Sequence, residues 1–180
     1  MSKEKGDVDG KAVQIVKYDQ TKSGNAKFHY MVEEIKKIFL ADDVKDKKAV
    51  IISIAGPARK GKSFMLGFFM KYLQDPDGAA SWDENEPLKT FQWGGGCKSI
   101  TSGLWIWNKP FISKTASGEE VAVFLMDSQG LYDRNSSMND STLIFAFSVL
   151  FSSIQVYNLM QDIQCNDLEH LEPTVPKFLY

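Results

Sequence analysis

The chain has 180 residues, a formal net charge of −2 and an apolar share of 43%. That is enough for one domain with a real core. The near-neutral charge gives no bulk electrostatic case for nucleic acid or an anionic membrane surface. Cys97 and Cys165 lack metal-ligand spacing and read as free thiols of a reducing compartment. His29 and His170 sit in no ligand motif and read as surface or structural histidines.

Residues 1–11 are charged and polar, carry no secretory signal, and read as a disordered lead-in. Residues 12–18 alternate loosely, as an edge strand would. Across residues 27–40, Phe28, Met31, Val32, Ile35, Ile38 and Phe39 fall at helical spacing with one apolar face. Residues 42–48 form a charged connection. Residues 49–55 are an apolar run interrupted only by Ser53, the pattern of a strand covered on both faces.

That strand feeds Gly56-Pro57-Ala58-Arg59-Lys60-Gly61-Lys62-Ser63, which fits G-x-x-x-x-G-K-[ST] and is followed by strong helix-formers over 64–73. Such a loop turns backbone N–H groups onto a triphosphate while the helix points its positive end at it. Gly56 and Gly61 permit close approach and positive φ. Lys62 can reach the terminal phosphates and the Ser63 hydroxyl can hold Mg²⁺. Taken alone, an ordinary glycine turn is the alternative.

Residues 75–87 read as loop, and Gly94-Gly95-Gly96 opens a second flexible segment ending near Gly103. A short aromatic strand follows over 104–108, then a turn cluster over 113–119. Residues 121–126 form a second buried strand, ending in Asp127-Ser128-Gln129-Gly130. This fits D-x-x-G: Asp127 can hold Mg²⁺, and the Gly130 N–H can meet a γ-phosphate. Alone it is a weak pattern. Thr101 lies between the two motifs, where a GTPase needs a threonine that closes over Mg²⁺ when γ-phosphate is present. A surface loop threonine is the alternative. Asp140 is expected to cap a helix over 143–150, residues 153–157 have strand character, and residues 167–171 look like another helix start. The longest nearly apolar run, 143–151, falls far short of the ~20 residues of a membrane helix. Alternating strands and helices predict an α/β fold of the P-loop NTPase kind, three-layered, with a mostly parallel sheet.

These residues carry a resemblance. The phosphate loop with Phe64, Trp93-Gly94-Gly95-Gly96, Thr101-Ser102-Gly103, Ile106-Trp107, residues 121–130, Ser152-Ser153-Ile154-Gln155-Val156-Tyr157-Asn158-Leu159 and Asp167-Leu168-Glu169-His170-Leu171 resemble the atlastins. These are large GTPases of the guanylate-binding-protein group in the dynamin superfamily. The resemblance spans roughly residues 12–171. It implies a parent that binds GTP or GDP with Mg²⁺, hydrolyses GTP and forms a homodimer through its G domain. That parent would be anchored in the endoplasmic reticulum membrane by regions outside this chain, face the cytoplasm, and tether and fuse those membranes.

The implied nucleotide-contacting set is Gly56, Arg59, Lys60, Gly61, Lys62, Ser63, Phe64, Asp127, Gln129 and Gly130, with Ser63, Thr101 and Asp127 around the metal. Small GTPases place a water-orienting Gln just after D-x-x-G; here Leu131 follows Gly130. Arg59, inside the loop, is the candidate for the missing catalytic group, as a finger supplied in cis. The alternative is a solvent-facing arginine that only adds positive potential. Ser99 matches the position that places attacking water in guanylate-binding proteins, while Cys97 and Lys98 depart from the atlastin pattern.

Guanine selection in this group rests on the Asp of an Arg-Asp pair, and neither that dipeptide nor N-K-x-D occurs here. Residues 12–180 therefore read as the N-terminal part of a G domain, incomplete at its C-terminal end. A non-catalytic fragment that binds nucleotide weakly or pairs with full-length partners is the second reading, and an ATPase the third.

Overall fold

The computed structural model describes residues 10–20, 26–57, 60–75, 91, 103–128 and 138–159. In chain order the elements are β1 (Ala12–Gln20), β2 (Ala26–Tyr30), α1 (Val32–Phe39), β3 (Lys48–Ala55), α2 (Lys62–Gln74), β4 (Leu104–Trp107), β5 (Phe111–Lys114), β6 (Glu120–Ser128), α3 (Met138–Phe151) and β7 (Ile154–Tyr157). The strands form one sheet in the order β2-β1-β4-β6-β3-β7, with β5 also paired to β6.

The α/β P-loop arrangement expected from the sequence is present, but the sheet is mixed rather than mostly parallel. β6, β3 and β7 are mutually parallel, whereas β1, β2, β4 and β5 join through antiparallel pairings. Parallel neighbours need a crossover helix, and α2 and α3 lie in the connections that supply one. On the antiparallel flank β1–β2 and β5–β6 are joined by short connections, whereas β1 and β4 pair across a long stretch of sequence.

β6 and β3 organise the core because both are apolar on both faces. Along β6, Ala122, Phe124 and Met126 enter one cluster with Ile38 of α1 and Ile144 of α3. Val121, Val123 and Leu125 enter the other, with Leu66 and Met70 of α2. This is the period-2 alternation of a strand between two helical layers. β3 follows the same rule: Ile54 faces Leu66 and Met70, while Ser53 faces α3.

Ser53 is fully buried and is satisfied by a small polar network. Its hydroxyl meets Ser148 at 2.7 Å. Ser148 Oγ also lies 3.0 Å from Gln155 Oε1, which accepts from Ser152 at 3.2 Å. The network pins α3 to β3 and β7. Ser148→Ala leaves Ser53 without this partner in a dry site, and is expected to cost about 1–3 kcal/mol. Urea unfolding would show a lower midpoint at unchanged m-value.

Several local expectations are corrected. β1 is not an edge strand; it lies between β2 and β4. Residues 27–30 belong to β2 rather than to a helix, which begins at Val32. The pairing of Lys17 with His29 and of Val16 with Tyr30 overrides local helical spacing, and Phe28 and Tyr30 stack edge-on against Phe147 at 5.5 and 5.7 Å. The turn cluster starts later than expected. Ser113 and Lys114 are the end of β5, and the chain reverses at Thr115–Glu119, with Gly118 at φ 83°. Asp140 lies inside the first turn of α3 instead of capping it, since the helix begins at Met138. Lys11, placed by sequence in the lead-in, is tied to Asn108 by hydrogen bonds in both directions. The helix start expected at 167–171 and the loop at 76–87 lie outside the described residues.

Candidate functional site

β3 and β6 are parallel neighbours, so their C-terminal ends emerge together at one edge of the sheet, where α/β folds place ligands. Ile54 pairs with Asp127 in that register. Gly56 follows β3 with φ 143°, and Gly61 caps α2 at φ 81°, ψ 17°. Both conformations favour glycine. At Gly61 the turn itself makes the demand, because a Cβ there would meet nothing; at Gly56 a Cβ would come within 2.3 Å of the Asn158 carbonyl oxygen.

The next residues enter α2 directly, so the first-turn N–H groups face the same edge. Lys62 is 6% exposed, and its ammonium donates to the Pro57 carbonyl at 2.9 Å. The lysine thus folds back over the loop that a phosphate would occupy. Ser63 Oγ donates to Asp127 Oδ2 at 2.5 Å. Asp127 is fully buried and continues the parity of Val121, Val123 and Leu125, so it lies on the α2 side. Phe64 is partly exposed and packs edge-on against Phe68 at 4.9 Å. The Lys60 side chain is exposed.

A hydroxyl and a carboxylate held face to face are hard oxygen donors. That donor chemistry fits Mg²⁺, which takes one or two protein oxygens and completes its shell with water and phosphate. Gly56, Lys60, Gly61, Lys62, Ser63, Phe64 and Asp127 are therefore brought to one edge. Arg59, Ser99, Thr101, Gln129 and Gly130 lie outside the described residues, and the structure does not place them.

Two residues that the motif reading passed over touch this edge. Ser128 is buried and donates to the Ile54 carbonyl at 2.8 Å, locking the end of β6 to the end of β3. Asn158, just past β7, donates from its side chain to the Lys60 carbonyl at 2.7 Å. The available signal was a polar residue at the C-terminal end of a strand parallel to β3.

Residues 25–175 match the family model of the guanylate-binding protein N-terminal domain. The chain belongs to this family. The match takes in both the glycine loop after β3 and Asp127 at the end of β6, while β1 stands before it and still pairs into the sheet. Atlastin-2 of Macaca fascicularis is 44% identical over 142 residues, covering 78% of this chain and 25% of that protein. Human Atlastin-2 is 44% identical over 142 residues, with 78% and 24% covered. Atlastin-1 of Bos taurus is 44% identical over 140 residues, with 77% and 25% covered. The atlastin resemblance carried by the loop and strand-end motifs is thus found across most of this guanylate-binding-protein domain. The domain spans about a quarter of the length of the curated relatives it matches. Among the described residues, no helix is long and apolar enough to cross a membrane.

Proposed function

We propose that this chain is the phosphate-binding part of a GTP-hydrolysing G domain in an atlastin-like protein that tethers and fuses endoplasmic reticulum membranes. The observation that carries the reading is the convergence of Lys62, Ser63 and Asp127 at one sheet edge, at the start of a helix. In this reading Lys62 leaves the Pro57 carbonyl for the terminal phosphates. The loop from Gly56 to Phe64, Lys60 included, wraps them with backbone N–H groups. Ser63, Asp127 and Thr101 hold Mg²⁺, which when bound would neutralise phosphate charge. Gln129 and the Gly130 N–H stand at the γ-phosphate, Ser99 orients water, and Arg59 supplies the cation that the absent Gln after Gly130 does not. The parent would pair through its G domains, on the cytoplasmic face of the membrane, anchored by other regions.

The second reading, a nucleotide-binding module without turnover, is favoured by one observation: Leu131 stands where a water-orienting Gln would follow Gly130. Fluorescent GTP and ATP titrations with single-turnover assays separate the two. Preferential GTP binding with phosphate release supports the GTPase. Binding without release supports the second reading, and ATP preference overturns the first.

A further inference from the structure

Asn158 makes three contacts, one with the last residue of β3 and two with the phosphate loop. Its N–H donates to the Ala55 carbonyl at 2.7 Å, where the loop begins. Its carboxamide Nδ2 donates to the Lys60 carbonyl at 2.7 Å, where the loop ends. Its own carbonyl oxygen lies so close to Gly56 that a Cβ there would stand 2.3 Å from it. One residue thus clasps both ends of the loop against the tip of β7. Asn158 is half-buried, while its bond to Lys60 lies at the exposed surface of the loop.

The bond to Lys60 has a directional consequence. No cis peptide is found among the described residues, and in a trans peptide the carbonyl oxygen and the amide hydrogen point opposite ways. Drawing the Lys60 oxygen toward β7 therefore turns the Gly61 N–H away from β7. Gly61, at φ 81° with no side chain, has no preference strong enough to hold that plane by itself. We propose that Asn158 is a positioning residue of the phosphate loop: its carboxamide fixes the Lys60–Gly61 peptide plane and so aims the Gly61 N–H for a nucleotide phosphate. This rests on the phosphate-site reading above.

The test measures the affinity of fluorescent GDP and the nucleotide-free melting midpoint for the wild-type chain, Asn158→Ala and Asn158→Gln. Asn158→Ala keeps the backbone contacts and loses the donor. It is expected to weaken GDP binding about three- to tenfold, the scale of one neutral hydrogen bond, while the melting midpoint stays near wild type. Asn158→Gln retains a carboxamide and is expected to recover part of the affinity. Unchanged GDP affinity in Asn158→Ala overturns the inference while leaving the phosphate site intact. So does a fall in melting midpoint large enough to account for the whole loss, or a Gln variant as weak as Ala. A wild-type chain that binds no GDP overturns the phosphate-site reading and this inference together.

Discussion

Lys62→Ala is expected to abolish measurable nucleotide binding, with a loss of affinity of at least about 100-fold. The reason is local. Lys62 is the first residue of α2, only 6% exposed, and its ammonium rests on the Pro57 carbonyl. A neutral carbonyl is a modest partner for a full positive charge. Phosphate oxygens at the same place carry full negative charge and attract the ammonium more strongly than a carbonyl dipole does. Exchange of partners is therefore favourable only when phosphate arrives, and the alanine variant has no charge to exchange. The fold should tolerate the change, because α2 is held by Leu66 and Met70 in the core rather than by Lys62. Fluorescent nucleotide titration beside a thermal melt checks both halves. Unchanged affinity in a folded variant would remove the phosphate-loop reading.

Arg59→Ala is expected to leave nucleotide affinity largely intact and to slow turnover by about 10³-fold, the contribution of a cis arginine finger. Phosphoryl transfer asks the protein for placement and for charge at the departing γ-phosphate, with little covalent work. Small GTPases divide this between a Gln after D-x-x-G and an arginine from a partner. Leu131 stands where that Gln would be and can neither orient water nor carry charge. Besides Lys62 the loop carries two cations, Arg59 and Lys60, and Arg59 lies two residues after Pro57, whose carbonyl holds Lys62. Lys60 cannot substitute in kind: an ammonium lacks the planar fork that meets two phosphate oxygens at once. Single-turnover hydrolysis in the presence of Mg²⁺ separates this from a binding defect. Equal turnover in variant and wild type would return Arg59 to a solvent-facing role.

Much of this site is legible in the amino-acid sequence because its ingredients are local. β3 and β6 are largely apolar runs, broken in β3 only by Ser53, that end in a glycine loop and an Asp, and parallel neighbours must bring those ends together. Ser63 and Asp127 meet for that reason alone. Where sequence and structure part, the causes are equally physical. Phe28 satisfies both the helical spacing that leads into α1 and the alternation Lys27, Phe28, His29, Tyr30, and only pairing with β1 decides between them. Ser113 carries turn composition but is drawn into β5 by its partner Val121. For Asn158 the sequence offers only its place just past a strand, because its partner is a backbone carbonyl 98 residues away and a carbonyl leaves no mark there.

The register of β6 against β3 reaches further than packing. Val121, Val123, Leu125 and Asp127 share one face by parity, so the carboxylate reaches Ser63 only while Lys48 stays opposite Val121 and Ile54 opposite Asp127. A slip of one residue would swing the carboxylate to the far side of the sheet and carry Met126 or Ser128 into its place. The deep hydrocarbon of this strand is therefore part of the chemistry at its tip. Lesions at Val123 or Leu125 that loosen the pairing would present in an assay as lost turnover, and a survey ranking positions by distance from the nucleotide would pass over them.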